Sequence, residues 1–197
     1  MTGSEQACVS KTANEVLKKI PLFFEESGSM TIENLQGSIR KLVHLHKTKV
    51  VFIDYLQLLS TGRRIDNRQQ EIATISRNIK LLAKELDICI ICLSQLSRKV
   101  EERPDKTPHM SDLRESGSIE QDADQVMLLY RPDYYTQVGQ LSLSNNQNSS
   151  QNSDSLTKII IAKNRHGKTG SVDVVFYPKI MKFSNYMDED LSYDSLI

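Results

Sequence analysis

Two polar residues stand at the ends of apolar runs, where a sheet would present them for chemistry. Lys49-Val50-Val51-Phe52-Ile53 closes on Asp54, and Ile88-Cys89-Ile90-Ile91-Cys92-Leu93 closes on Ser94-Gln95. Short, largely β-branched runs of this kind read as buried parallel strands. Open α/β sheets take their ligands outside the carboxyl ends of such strands. In nucleotide-hydrolysing proteins an acid there holds Mg²⁺, directly or through water, and a Gln there hydrogen-bonds a phosphate or an attacking water. The plainer alternatives are an Asp that caps the following turn and a Gln that satisfies loop carbonyls.

Two further segments carry chemistry-bearing groups. Gly167-Lys168-Thr169 resembles the end of a phosphate loop, but Ala162 stands where G-x-x-x-x-G-K-[ST] needs its first Gly. The residues after it, Gly170-Ser171-Val172-Asp173-Val174-Val175-Phe176, read as a strand, so no helix N-terminus is offered to phosphate. Residues 163–170 therefore read as a hairpin turn carrying Lys163, Arg165, His166 and Lys168. A guanidinium on such a tip can reach a neighbouring subunit's nucleotide, or it can simply be solvated. The segment from Arg98 to Arg114 sets Arg98, Lys99, Arg103, Lys106 and Arg114 among Glu101, Glu102 and Asp105, which fits a solvated loop. Its continuation, Glu115-Ser116-Gly117-Ser118, could bring backbone N–H groups and the Arg114 guanidinium to a phosphate chain. No aromatic residues are interleaved there, so base stacking is not the expected mode.

The elements that must position these groups are legible from periodicity. Thr31 is a helix N-cap, followed by Ile32, Leu35, Ile39, Leu42 and Val43 at helical spacing. A second helix runs near Gln69–Leu86, with Ile72, Ile75, Ile79, Leu82 and Leu86 on one face. Strand, helix and strand across residues 50–93 make a βαβ unit, with a right-handed crossover expected. Val126–Tyr130, Ile159–Ala162 and Val172–Tyr177 are later strands, close enough for hairpins. Near the amino end, residues 12–20 read as the end of a helix stopped by Pro21, and Leu22-Phe23-Phe24 as a short strand. The expected fold class is α/β: a mostly parallel sheet flanked by helices, with an antiparallel hairpin edge. Residues 1–197 read as one partial domain, with a Ser/Asn/Gln-rich insertion at 139–155 and a flexible tail at 188–197.

Composition narrows the function classes. The 25 basic and 25 acidic residues cancel, so the whole chain is no polycation, and contact with nucleic acid must come from a local patch. No apolar run approaches the roughly 20 residues that span a bilayer, and no secretory signal is visible, which makes a cytoplasmic location the expectation. Cys89 and Cys92 form a C-x-x-C, but residues three apart on a strand face opposite ways, so shared metal or redox chemistry is not expected; buried, inert thiols are.

Several segments, in order and spacing, resemble one family. Ile53-Asp54-Tyr55-Leu56-Gln57-Leu58, Ser94-Gln95-Leu96, the run SDLRESGSIEQDAD at 111–124, and Lys163-Asn164-Arg165-His166-Gly167 are similar to the motor domain of DnaB-type replicative DNA helicases over roughly residues 15–187. The resemblance implies a RecA-like fold in a homo-hexameric ring around single-stranded DNA, moving 5′ to 3′ on ATP hydrolysis at subunit interfaces. By position it implies that Asp54 is the acid near Mg²⁺ and that Gln95 senses the γ-phosphate. It implies that Lys163 and Arg165 reach the neighbour's nucleotide, and that Arg103, Arg114, Glu115 and Gly117 lie on DNA-facing loops. Family members carry a phosphate loop and a glutamate-bearing strand upstream, and a collar domain that docks primase; a helicase loader is a further implied partner. None of these 197 residues forms a phosphate loop, so the chain by itself is expected not to hydrolyse ATP. The apolar sheet edge and face beside Val50–Asp54 should then be bare and promote self-association. The alternative function is a catalytically incomplete subunit that binds DNA or joins a ring.

Overall fold

The computed structural model describes residues 3–15, 17–25, 30–62, 65, 67–113, 117–135 and 155–186. The expected 139–155 insertion, apart from its last residue, and the expected 188–197 tail lie outside them.

Helix α1 (Gly3–Glu15) and a single 3₁₀ turn (Leu17–Lys19) open the chain. The sequence predicted the end of a helix over residues 12–20; the α-helix stops at Glu15, and the 3₁₀ turn occupies Leu17–Lys19 ahead of Pro21. Leu22-Phe23-Phe24, expected as a strand, is exposed coil with no ladder partner among the described residues; instead Phe23 stacks on His46 with ring centroids 4.2 Å apart. Apolar β-propensity cannot make a strand where no backbone offers a ladder.

Strand β1 (Met30–Thr31) leads into helix α2 (Ile32–His46), whose N-cap is Thr31 as predicted: its Oγ1 accepts the Asn34 N–H at 3.3 Å. Strand β2 (Val50–Ile53) and the two-residue strand β3 (Leu59–Ser60) follow, and then helix α3 (Arg68–Leu86), capped by the Asn67 carboxamide. Strand β4 (Cys89–Cys92) completes the βαβ unit, pairing parallel with β2 from Val50↔Cys89 to Ile53↔Cys92. β1 and β3 form a separate parallel pair.

The residues from Arg98 to Gly117, expected as loop, hold one helical turn, α4 (Lys99–Glu102), and a 3₁₀ turn at Met110–Asp112. Helix α5 (Gly117–Asp122) follows. The remaining strands form one antiparallel sheet in the order β5 (Gln125–Tyr130), β6 (Ser155–Asn164), β7 (Gly170–Tyr177) and β8 (Lys182–Asn185), a hairpin edge more extensive than the parallel part. Ser155, assigned to the polar insertion by composition, is the buried first residue of β6.

The main core lies between the helices and one face of β2–β4. Ile32, Leu35 and Ile39 of α2 and Ile72, Ile75, Ile79 and Leu82 of α3 are buried there, with Ile53 and Leu56. Each such side chain contributes roughly 1.5–3 kcal/mol by leaving water. A smaller core of Leu113, Val126 and Leu128 lies under the antiparallel sheet, and Ile119 of α5 touches both. The opposite face of β2–β4 is bare: Val50, Phe52, Ile91 and Leu93 are all exposed, Phe52 to 70%. That matches the exposed face anticipated from the sequence. It also corrects the reading of Cys89 as buried, because Cys89 lies on this uncovered side. Cys92 points to the covered side, and burial pushes its thiol up to about 11. No helix among the described residues is long and apolar enough to cross a membrane.

Candidate functional site

Parallel pairing fixes the first part of the site. Because Ile53 stands opposite Cys92, Asp54 and Ser94-Gln95 leave the sheet at the same carboxyl edge. The ladder runs past the strands themselves: the Leu93 N–H donates to the Ile53 carbonyl, and the Leu56 N–H to the Leu93 carbonyl, each at 2.9 Å. The two exits are also joined by a side chain that sequence reasoning passed over. Gln57 donates through Nε2 to Ser94 Oγ at 2.9 Å and accepts the Gln95 N–H on Oε1 at 3.3 Å. Its own carbonyl accepts from Arg68 Nη2 at 2.7 Å, and Arg68 is ion-paired with Glu71. The Thr61 N–H donates to Glu71 at 3.0 Å, and this bond, ahead of the Arg68 guanidinium, holds the Glu71 carboxyl below its usual range.

The Asp54 carboxylate is exposed, and no hydrogen bond or ion pair engages it among the described residues. The Gln95 side chain is likewise exposed. The carboxylate and the carboxamide are thus both open to solvent at one sheet edge.

The hairpin forms the second part. β6 and β7 are joined through Arg165–Thr169, and β7 continues directly from Gly170, so Gly167-Lys168-Thr169 has no helix behind it and is not a phosphate loop. The β5–β6 ladder passes from Val126↔Lys163 to Met127↔Ile161, which leaves Ala162 as a β-bulge. A bulge reverses the alternation of side chains beyond it, and here it re-aims Lys163 and Arg165. Lys163 Nζ donates to the Glu120 carbonyl. Arg165 donates from Nη1 to Asp124 Oδ1 at 3.2 Å and from its backbone N–H to the Asp124 carbonyl at 2.9 Å. Asp124 is also ion-paired with Lys80 of α3, and that bond first, then the charges of Lys80 and Arg165, hold its carboxyl below the ordinary range.

The third part is the segment expected to face DNA. Arg114 and Glu115 lie outside the described residues, and Gly117 is the exposed first residue of α5. Arg103, its side chain about one-third exposed, is engaged within its own segment: Nη2 donates to the buried Asp112 carboxylate and to the Thr107 carbonyl at 3.2 Å. Burial works against ionisation of Asp112, but the His109 N–H at 2.7 Å and the Arg103 guanidinium outweigh it and keep its carboxyl below the usual range. Arg103 thus braces the loop. Beside it, a cleft of about 680 Å³ is lined by Gln70, Ser97, Lys99, Ser111, Gly117 and Ser118 among others, with Lys99 the only charged lining residue among the described residues.

These features define an α/β domain in which Asp54 and Gln95 leave the same end of a parallel pair and Lys163 and Arg165 of the antiparallel hairpin are held against α5 and Asp124. Comparisons place it more closely. Residues 1–185 match the family model for the DnaB-like helicase C-terminal domain, and the chain belongs to that family. It is 44% identical over 170 residues to the replicative DNA helicase DnaB of Geobacillus stearothermophilus, covering 86% of this chain and 35% of that one. It is also 44% identical over 165 residues to the replicative DNA helicase DnaC of Bacillus subtilis, covering 83% of this chain and 34% of that one. The chain thus spans about a third of the length of these relatives. Among solved structures, one described as an ATPase domain matches with a TM-score of 0.78 at 35% identity, over 95% of this chain and 62% of that one. A structure described as a DnaB-like replicative helicase and its interactions with primase matches with a TM-score of 0.76 at 36% identity, over 95% of this chain and 42% of that one. The fold is RecA-like.

Proposed function

We propose that this chain is the carboxyl-terminal part of an ATP-driven replicative DNA helicase motor that works as a homo-hexameric ring on single-stranded DNA. One observation carries the reading: Asp54 and Gln95 emerge together at the carboxyl edge of the parallel β2–β4 pair, their side chains open to solvent, in a chain of this family. An exposed carboxylate at that edge suits Mg²⁺, which when bound with ATP neutralises charge on the phosphates. Asp54 would hold the metal, and Gln95 would hydrogen-bond the terminal phosphate. Lys163 and Arg165 would act at the neighbouring subunit's nucleotide, where such a guanidinium is worth about 10³–10⁵ in rate. Arg114, Glu115 and Gly117 would contact the DNA backbone, with Arg103 shaping the loop. Phosphate-directed contacts of this kind suit movement over any sequence. The chain alone would not hydrolyse ATP, since none of its segments is a phosphate loop. Primase and a loader would be partners of the longer protein.

The test is a chimera in which the upstream part of the Geobacillus relative, where the family resemblance implies the phosphate loop, is fused to this chain. It should show DNA-stimulated ATPase activity that D54N and R165A each abolish. Mixing D54N with R165A subunits should restore activity at the mixed interfaces. An R165A chimera with full activity sinks the trans-acting role, and a D54N chimera with full activity sinks the metal role.

A further inference from the structure

Three elements meet at one carboxylate. Asp124 stands in the short connection between α5 and β5, with its side chain about two-fifths exposed. It is ion-paired with Lys80, whose side chain is only 16% exposed, and it accepts from the Arg165 guanidinium at 3.2 Å. Its carbonyl holds the Arg165 backbone N–H at 2.9 Å. Helix α5 holds Lys163 through the Glu120 carbonyl and is tied to α3 by Asp122, which accepts from Ser76 at 3.0 Å and from Arg77 at 3.4 Å.

Arg165 is anchored at one edge only. Of its five N–H donors, those on Nη1 face Asp124, and no partner engages Nε or Nη2 among the described residues, while the side chain is 52% exposed. A guanidinium held along one edge by a fixed carboxylate presents its remaining donors in a set direction. A guanidinium on a free hairpin tip does not.

We propose that Asp124 is a positioning residue for the reaction. It buttresses Arg165 so that the free edge of the guanidinium is oriented toward the adjoining subunit, and Lys80 fixes the buttress from α3. The proposal rests on the reading of Arg165 as a trans-acting group. It also gives the motor a direct connection. α5 begins at Gly117, at the end of the segment proposed to face DNA, so Lys163 is held by the same short helix that the DNA-facing segment enters, and Arg165 by the connection that leaves it. Lys80 pairs with the same carboxylate from α3, so Asp124 keeps a second partner whether or not a nucleotide phosphate draws on Arg165.

Two measurements test it. In the isolated chain, ¹⁵N spectroscopy of the arginine side chains should show slowed rotation of the Arg165 guanidinium. D124N should free it, and D124E should largely restore it. In the chimera, D124N should lower kcat about tenfold while leaving KM for ATP within about twofold, as expected when only transition-state positioning is lost. D124E should recover most of the rate, and K80M should show a smaller loss of the same kind. A freely rotating Arg165 in the unmodified chain overturns the proposal, as does a D124N chimera with unchanged kcat. If R165A itself leaves kcat unchanged, the trans-acting reading fails and the proposal falls with it. If R165A is inactive and D124N is normal, only the proposal fails.

Discussion

Gln57 holds Gln95 in place across the ends of two parallel strands. Its Oε1 accepts the Gln95 backbone N–H at 3.3 Å, while its Nε2 binds Ser94 Oγ at 2.9 Å. The strand that delivers the acid thereby also sets the loop that carries the amide, and relative motion of the two is restrained by one carboxamide.

Removing that carboxamide should loosen the edge without unfolding the domain. Gln57→Ala is expected to cost about 1 kcal/mol, the usual net worth of such hydrogen bonds. Amide exchange at Gln95 should quicken in the variant while exchange within β4 stays slow. Unchanged exchange at Gln95 would show that the clamp does not operate in solution.

The chain should lose stability in acid. Glu71, Asp112 and Asp124 all have carboxyl groups held below their ordinary range. The unfolded chain, with carboxyl pKa values near about 4, therefore binds more protons than the folded chain as pH falls through that region. The stabilisation is complete above the unfolded values and is lost as pH drops through the lower folded ones. Urea midpoints should be level near neutrality and decline below about pH 5, and Asp112→Asn should make the decline shallower. A midpoint that rises on acidification contradicts this.

Arg103 is expected to behave as a brace. Arg103→Ala leaves the buried Asp112 carboxylate without its guanidinium, which should cost roughly 1–3 kcal/mol. Arg114→Ala should leave the thermal midpoint nearly unchanged but weaken oligo-dT binding and flatten its salt dependence by about one unit of slope. If Arg103→Ala instead leaves stability intact and weakens DNA binding, the brace assignment is wrong.

The two sides of the parallel pair should respond in opposite ways. Ile75, fully buried between α3 and the sheet, should cost about 2–5 kcal/mol when cut to Ala. Phe52→Ser, on the bare face, should cost little and should shift the chain toward monomer in sedimentation experiments. Equal sedimentation of the two proteins would show that this face does not drive association.

Cys89 and Cys92 should label at very different rates. Cys89 is exposed, whereas burial holds the Cys92 thiol up at about 11 and keeps thiolate scarce. Maleimide near pH 8 should modify Cys89 at least about tenfold faster, as read by mass spectrometry. Equal rates would mean that the covered side of β4 opens readily.

The sequence by itself determined the elements that depend on local pattern. The Thr31 cap, the isoleucine face of α3, the βαβ unit and the hairpin that excludes a phosphate loop at Gly167-Lys168-Thr169 all follow from period, capping chemistry and strand propensity. The family was legible too, because residues 111–124 and the Asp54 and Gln95 segments are long and in order. Tertiary structure decided what depends on a partner. Leu22-Phe23-Phe24 is apolar enough for a strand, yet it is coil because no ladder meets it among the described residues. Cys89 lies in an apolar run, yet it is exposed because nothing described covers that face. The polar side chains were least legible of all. Gln57, Arg103, Asp112 and Asp124 look alike in the sequence as surface residues, but each bond they make except those within the 103–112 loop joins residues from separate elements. Local pattern fixes which face a residue lies on, and only the packing of elements fixes which charge or amide it meets there.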